Sequence, residues 1–426
     1  MLSSLMILFF LILLFLGLPV IGAMGLAAVA DIVGFMNIPL NIVGNQILAG
    51  VSSVPLMAIP FFIISGALME SGGISKRIIG FATAIVGSFP GGMGLVVIIA
   101  SAFFAAMTGS GAACVAAIGG MMIPAMVNNG YDVDFSCALQ AAGGTLGPII
   151  PPSILMVLYS CSTGNSVGDM LLAGLFPGML VALNLILVTL FISKKREYKG
   201  EGRISLKNIW KSFKESIFAL LTPVIILGGI YSGLCTPTEA SALSCLYAIV
   251  IGLFVYRELK IKDLMRCLYD SVKIVGQILG IVAVTQLFSW ILTRAGLPHE
   301  IAALCSTISD NPKVFMLIIS LILLAVGCFL DPVPAVLIFA PILVPAAVEM
   351  GINPIHFGVV MVTTFCIGLV TPPVGMTLFV SAGIGNRPVM SVSKQIMPFL
   401  ISMFISVIII ILIPQLSLLL PMMARQ

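Results

Sequence analysis

Charge is what this sequence has least of. Asp, Glu, Lys and Arg together make up 8% of its 426 residues, against roughly 25% in an average soluble protein. A soluble globular fold and a disordered chain are thereby excluded. So is a nucleic-acid partner, whose recognition needs dense Lys and Arg. Histidine is equally scarce: the two, His299 and His356, lie far apart and form no zinc ligand set. The nine cysteines are scattered with no CxxC pair, which reads as apolar packing rather than a disulfide or metal framework. A Walker A sequence, GxSxG, HExxH and the dinucleotide-binding glycine pattern are all missing. The sequence therefore points to no enzyme, no ATP as energy source and no cofactor.

What is present is apolar. Sixty per cent of the residues are hydrophobic, enough at about 20 per bilayer crossing for at most about a dozen membrane segments. The opening MLSSLMILFFLILLFLGLP has no cationic flank and reads as a first membrane helix. Polar punctuation leaves apolar blocks at 2–18, 21–36, 51–69, 91–128, 133–160 and 169–193. After a polar stretch at 194–216 come 217–234, 238–256, 272–293, 313–349, 355–382 and 396–421.

The two halves repeat. A shift of 221 lays Pro124, Ala125, Val127 and Gly130 on Pro345, Ala346, Val348 and Gly351. It also lays Gly147, Pro151, Pro152 and Ser160 on Gly368, Pro372, Pro373 and Ser381. Blocks 91–128 and 313–349 are each interrupted, by Thr108-Gly109-Ser110-Gly111 and by Asp331-Pro332-Val333-Pro334. Each block reads as two full helices or as a re-entrant hairpin, whose tip needs protein or a water-filled cavity around it. Five crossings and a hairpin per half make the second half inverted. The basic 194–216 stretch then lies in the cytoplasm, together with 17 of the 20 cations. The fold expected is an all-α polytopic membrane protein of two inverted repeats, with about ten crossings and two hairpins. Segments 76–88 and 257–273 read as amphipathic helices along the cytoplasmic surface.

Interrupted helices at matching positions of inverted repeats point to a secondary transporter's binding site. The Pro-Pro pairs remove amide donors and break the helix, leaving carbonyls without helical partners. Such carbonyls facing hydroxyls or a carboxylate suit Na⁺. The first candidate cluster is Thr108 and Ser110 with carbonyls near Gly147 and Ile150. The second is Asp331 with carbonyls near Gly368 and Thr371. Asp331 lies between apolar runs, where a charge costs at least about 2.5 kcal/mol on insertion scales. The competing reading is a helix cap, which is compatible with binding a cation. Arg294 closes a membrane segment and can hold an anionic substrate's carboxylate, or can snorkel to the interface. Ser110 and Ser153 are grouped with it as substrate contacts. Glu239 in TPTEA reads as a capping box, Glu70 and Asp31 as interfacial, and His356 as structural.

Residues 59–78 (IPFFIISGALMESGGISKRI), 89–94 (FPGGMG), 107–113 (MTGSGAA), 147–153 (GPIIPPS), 223–240 (PVIILGGIYSGLCTPTEA), 330–338 (LDPVPAVLI) and 368–375 (GLVTPPVG) carry a resemblance over essentially the whole chain. The chain resembles the large membrane subunit of the tripartite ATP-independent periplasmic (TRAP) transporters. The resemblance implies an elevator-type, sodium-coupled importer of organic acids in the bacterial inner membrane. It implies a periplasmic substrate-binding protein and a small membrane subunit as partners. The motifs begin near the N-terminus, so the small subunit is expected on a separate chain. The implied division is a scaffold with an arm helix at 1–88, a transport-domain half at 89–166 and a membrane helix at 167–193. A basic linker at 194–216 leads to a second scaffold and arm at 217–310, a second transport half at 311–385 and a C-terminal membrane helix at 386–426. The implied sodium sites coincide with the two clusters named above. Val333 stands where many relatives carry a hydroxyl, which leaves one side-chain oxygen fewer at the second tip. The alternative within transporters is a stand-alone sodium/anion symporter that needs no binding protein. A membrane scaffold or an intramembrane enzyme is the alternative of another class, and no paired nucleophile and base is visible for it.

Overall fold

The computed structural model describes residues 2–36, 38–200, 205–306 and 311–424. Arg203 and Arg425, counted in the charge argument, lie outside the described residues, as do 201–204 in the middle of the 194–216 linker and 307–310 at the end of the 217–310 span. No strand occurs among the described residues.

The first repeat runs α1 (Leu2–Phe15), α2 (Val20–Gly34), α3 (Asn41–Val51), a 3₁₀ turn (Val54–Met57), α4 (Ala58–Ser71) and α5 (Ile74–Val86). It continues with α6 (Gly92–Thr108), α7 (Gly111–Asn128), α8 (Val133–Gly144), α9 (Ile154–Thr163) and α10 (Val167–Lys195). The second runs α11 (Leu206–Tyr231), α12 (Pro237–Val250), a π turn (Ile251–Val255), α13 (Ile261–Arg294) and α14 (Leu297–Ser306). Then follow α15 (Pro312–Gly327), α16 (Pro332–Glu349), α17 (Pro354–Gly368), α18 (Met376–Ile384), α19 (Val389–Leu412) and α20 (Gln415–Ala424).

The 221-residue shift holds for whole elements. It carries both ends of α7 onto both ends of α16, and it carries α5 onto α14, α6 onto α15 and α9 onto α18 to within two residues. Among the described residues, eight helices are long and apolar enough to cross a membrane, and shorter apolar helices supplement them. Both long interrupted blocks are hairpins: α6 turns into α7 at Gly109-Ser110, and α15 turns into α16 at Cys328–Asp331.

Helices α2, α3, α4, α12 and α13 form a wall, in which α4 packs on α12 and α13 on α2 and α3. The hairpins, α8–α10 and α17–α20 form an inner bundle. Within it, the second helix of each hairpin leans on the other repeat's broken helix, α7 on α18 and α16 on α9. The repeats therefore interlock rather than sit side by side. On the bundle's basic edge, the Arg387 guanidinium makes a two-point ion pair with Asp134, at 2.6 and 3.0 Å. It ties the start of α8 to the turn before α19.

Several boundaries differ from the sequence expectation. Helix α3 falls where polar Asn41, Asn45 and Gln46 had broken the apolar pattern. Segment 257–273 is not a separate surface helix. From Ile261 it is continuous with the next span as the 34-residue α13. The repeat mate of α5 is α14. Most of the 194–216 linker is helical, because its ends belong to α10 and α11. The C-terminal block splits into α19 and α20 around Pro414. The capping box is present: Thr236 Oγ1 accepts from the Glu239 N–H, and Glu239 accepts from the Thr236 N–H at 2.8 Å.

Candidate functional site: a cavity between two hairpin tips and the wall

Both hairpin tips end in one cavity of about 1220 Å³. Its inner side is built from 108–113 of the first hairpin and 331–334 of the second, with Pro148, Ile154, Leu155, Leu369 and Met376 from the breaks. Its outer side is the wall: Ile63, Gly66, Ala67, Glu70 and Ser71 of α4, and a long stretch of α13 from Asp263 to Ile281. Asp263, Arg266 and Asp270 lie in the first turns of α13, so the cavity reaches the charged end of that helix.

The first tip is made by residues suited to a tight turn and a helix start. Gly109 takes φ +60 and Ser110 then caps α7, accepting from the Ala113 N–H at 3.5 Å. The tip rests on the first break through Gly147, where a Cβ would lie 2.7 Å from the Ser110 carbonyl oxygen. After α8 the chain tightens into turns closed by the N–H groups of Thr145, Leu146 and Gly147 on carbonyls three residues back. The carbonyls of Gly147, Ile149 and Ile150 accept no hydrogen bond among the described residues. Both Pro-Pro peptide bonds, 151–152 and 372–373, are cis.

The second tip is the same device with different chemistry. Asp331 caps α16, accepting from the Val333 N–H at 2.9 Å. Pro332 and Pro334 withhold two further amide donors from this helix start. Gly368 seats on the tip's incoming helix, where a Cβ would lie 2.6 Å from the Gly327 carbonyl carbon. The Thr371 hydroxyl donates to Ile367 O at 2.8 Å, which leaves its oxygen lone pairs unspent. Gly368 O accepts from the Thr371 N–H, whereas the Val370 and Thr371 carbonyls accept nothing among the described residues.

The structure thus brings Ser110 onto Gly147, and Gly368 and Thr371 onto the approach to the second tip. Thr108, Ser110 and Asp331 line the cavity. Ser153 does not: it is buried, donates to Pro148 O at 2.5 Å and caps α9 through the Met156 N–H. Arg294 does not either. It is exposed at the far end of α13 beside Trp290, with its guanidinium 5.5 Å from the ring centre. Thirteen residues separate it from Ile281, the last cavity residue of that helix, a run of about 20 Å at the helical rise.

Among the cavity residues beyond those the sequence singles out are Glu70, Gln277 and Gly66. Glu70, which reads as interfacial in the sequence, lines the cavity. Gln277 is the one strongly polar side chain between Ile274 and Ile281, a signal that was there to be used. Gly66 carries no chemical signal at all. Among the described residues, no group of three His, Cys, Asp or Glu side chains is placed to hold a metal. A cation at either tip would rest mainly on backbone carbonyls and hydroxyls.

Residues 7–416 match the family described as "Tripartite ATP-independent periplasmic transporter, DctM component". The chain is 39% identical over 409 residues to the sialic acid TRAP transporter large permease protein SiaM of Vibrio cholerae, covering 96% of each. It is 37% identical over 419 residues to the C4-dicarboxylate TRAP transporter large permease protein DctM of Rhodobacter capsulatus, covering 95% of each. The isethionate TRAP transporter permease protein DctMQ of Oleidesulfovibrio alaskensis is 40% identical over 403 residues; these are 94% of this chain but only 63% of that longer protein. In fold, the chain is similar to the YdaH transporter of Alcanivorax borkumensis, with a TM-score of 0.64, 14% identity and coverage of 96% and 97%. An all-helical membrane chain with two interlocked repeats, matched over nearly its whole length, belongs to the DctM component family of the tripartite ATP-independent periplasmic transporters.

Proposed function

We propose that this chain is the large permease subunit of a sodium-coupled importer of an organic acid anion in the bacterial inner membrane. The observation that carries the reading is the shared cavity: two repeat-related tips, one with hydroxyls and one with a carboxylate, face a single wall. The two tips differ in charge, although a cation is assigned to each. At the first, α7 begins at Gly111, Ala112 and Ala113 without a proline. Its amides and helix dipole favour a substrate carboxylate. At the second, Asp331 and two prolines favour a cation. Na⁺ is assigned to Thr108, Ser110 and the carbonyls of Gly147 and Ile150, and to Asp331 with the carbonyls near Gly368 and Thr371.

Transport in this reading is an elevator movement of the inner bundle against the wall. The interlocking of the repeats supports it, because the bundle can move as one body. The cavity reaches the end of α13 that the positive-inside rule makes cytoplasmic, which fits an inward-open arrangement. A periplasmic binding protein would deliver the substrate, and a small membrane subunit on a separate chain would pack on the wall. Sialic acids, C4-dicarboxylates and sulfonates such as isethionate are the substrate classes suggested by the names of the relatives.

The test is uptake into proteoliposomes containing the full transporter, with labelled organic acids and an imposed sodium gradient. Uptake that follows the sodium gradient and requires the binding protein supports the reading. Uptake by this chain alone would favour a stand-alone symporter, and uptake indifferent to sodium would remove the coupling ion.

A further inference from the structure

A glycine of the wall lies directly against the first hairpin tip. A Cβ built at Gly66 of α4 would lie 3.1 Å from Thr108 Cα, and 3.3 and 3.4 Å from its Cγ2 and Cβ. Backbone against side chain at that distance leaves no room for a methyl group unless the tip gives way. Thr108 is accordingly buried, with 5% exposed. From the bundle side the same tip is fixed by backbone. Cβ atoms at Gly109 and Gly147 would lie 3.0 Å from Ile154 N and 2.7 Å from Ser110 O. A displacement forced at residue 66 therefore passes to the hydroxyls of Thr108 and Ser110.

The repeat supplies the contrast. The shift of 221 lays Gly66 on Leu287 and Thr108 on Phe329. Leu287 is buried in a cluster that joins α1 and α2 to Ile338 and Ile342 of α16, and Phe329 is 67% exposed. The wall therefore meets the second hairpin along α16, at Ile338 and Ile342 beyond its tip, and meets the first at the tip residue Thr108, opposite a glycine.

We propose that Gly66 is a positioning residue: it lets the wall hold the first hairpin tip, so that residue 66 sets both the cation response of that tip and the population of the cavity-open state. The cation part rests on the sodium reading given above; the conformational part does not. A side chain at 66 destabilises the arrangement in which α4 and Thr108 touch. By linkage, whatever biases one of two coupled equilibria biases the other by the same factor.

The measurement uses Cys267, which lines the cavity and is half-buried. The full-length protein in detergent or liposomes is treated with a small thiol reagent, and labelling of the Cys267 peptide is followed by mass spectrometry, with and without NaCl. Gly66→Ala and Gly66→Val are compared with wild type and with Gly80→Ala, a helix glycine that has open space around it. Without sodium, labelling is expected to slow from wild type to Ala to Val, by about fivefold or more for Val, the lower end of usual couplings. Melting temperature and Gly80→Ala labelling stay near wild type. In uptake assays the sodium concentration for half-maximal rate rises in the same order. Equal labelling rates in all four proteins would overturn the proposal. So would an unchanged sodium half-saturation in a wild type that does respond to sodium. If wild type shows no sodium-dependent uptake, the coupling reading fails, and labelling alone decides on Gly66. If Gly66→Val does not fold, Gly66→Ala carries the decision by the same two readouts.

Discussion

Ser110 and Asp331 occupy the same position of the two repeats, and each caps the second helix of its hairpin with its own side-chain oxygen. The shared task is structural and the difference is chemical: a neutral hydroxyl at one tip, a carboxylate at the other. Position 331 can therefore be emptied of charge without being emptied of its cap.

Asp331→Asn keeps a good helix cap and removes the charge. Sodium-driven uptake is expected to vanish while melting temperature stays near wild type. Asp331→Ala removes the cap as well and loses about a further 1 kcal/mol of stability. Both are checked by uptake in proteoliposomes beside a thermal melt. Sodium-dependent uptake retained by the Asn variant would sink the assignment of Asp331 to a cation.

Gly368 and Gly147 are seats without a side chain. A methyl group at Gly368 would meet Gly327 backbone at 2.6 to 2.8 Å, and one at Gly147 would meet the Ser110 backbone at 2.7 Å. Overpacking of this kind costs about 1–3 kcal/mol. Gly368→Ala and Gly147→Ala should each lower the melting temperature and uptake together. Gly228→Ala, in a helix with open space around it, should change neither.

Gln277 offers the cavity a neutral amide from the wall. One hydrogen bond to substrate is worth about 0.5–1.5 kcal/mol. Gln277→Leu is therefore expected to raise the substrate half-saturation concentration by up to about tenfold, with the sodium dependence and the melt unchanged. A variant that binds substrate like wild type would show that the wall contributes shape and no hydrogen bond here.

The Asp134–Arg387 pair joins the two repeats across the bundle, and the Ser391 hydroxyl also donates to Asp134 at 3.1 Å. The Asp134 side chain is only 14% exposed while that of Arg387 is 42% exposed, and the two-point geometry is what distinguishes the pair from a mobile surface one. Arg387→Gln should lower the melting temperature by several degrees. Asp134→Asn should do the same. The double variant should lose less than the sum of the two, since contacting residues do not add.

What was legible in the sequence was whatever the backbone dictates locally. Gly109, Ser110, Pro151, Pro152 and their mates at +221 mark turns and breaks by their own conformational limits. Hence the helix interruptions, their repetition and the broken helices are legible in the sequence alone. What depended on distant packing was not legible. Gly66 matters only because Thr108, 42 positions on, comes to rest against it. Arg294 looked like an anion ligand by residue type and was ruled out of the cavity by the length of α13. The amphipathic pattern of 257–273 was real but misread. Ile261, Met265, Tyr269 and Val272 stay exposed on one side of α13, while Asp263, Arg266 and Asp270 face the cavity on the other. A pattern that fits a helix lying on a surface fits equally well the projecting end of a long one.

The unbroken length of α13 has a mechanical consequence. At 34 residues it measures about 51 Å, well beyond the roughly 30 Å of a hydrocarbon core. Its excess carries Lys262, Asp263, Arg266, Asp270 and Lys273, groups that resist being drawn into lipid. The corresponding part of the first repeat is jointed at Ser52–Met57, between α3 and α4. One repeat thus contributes an unbroken strut held at a set depth by its charged end, and the other contributes a jointed pair. In the proposed elevator movement, the strut is the datum from which travel of the inner bundle would be measured.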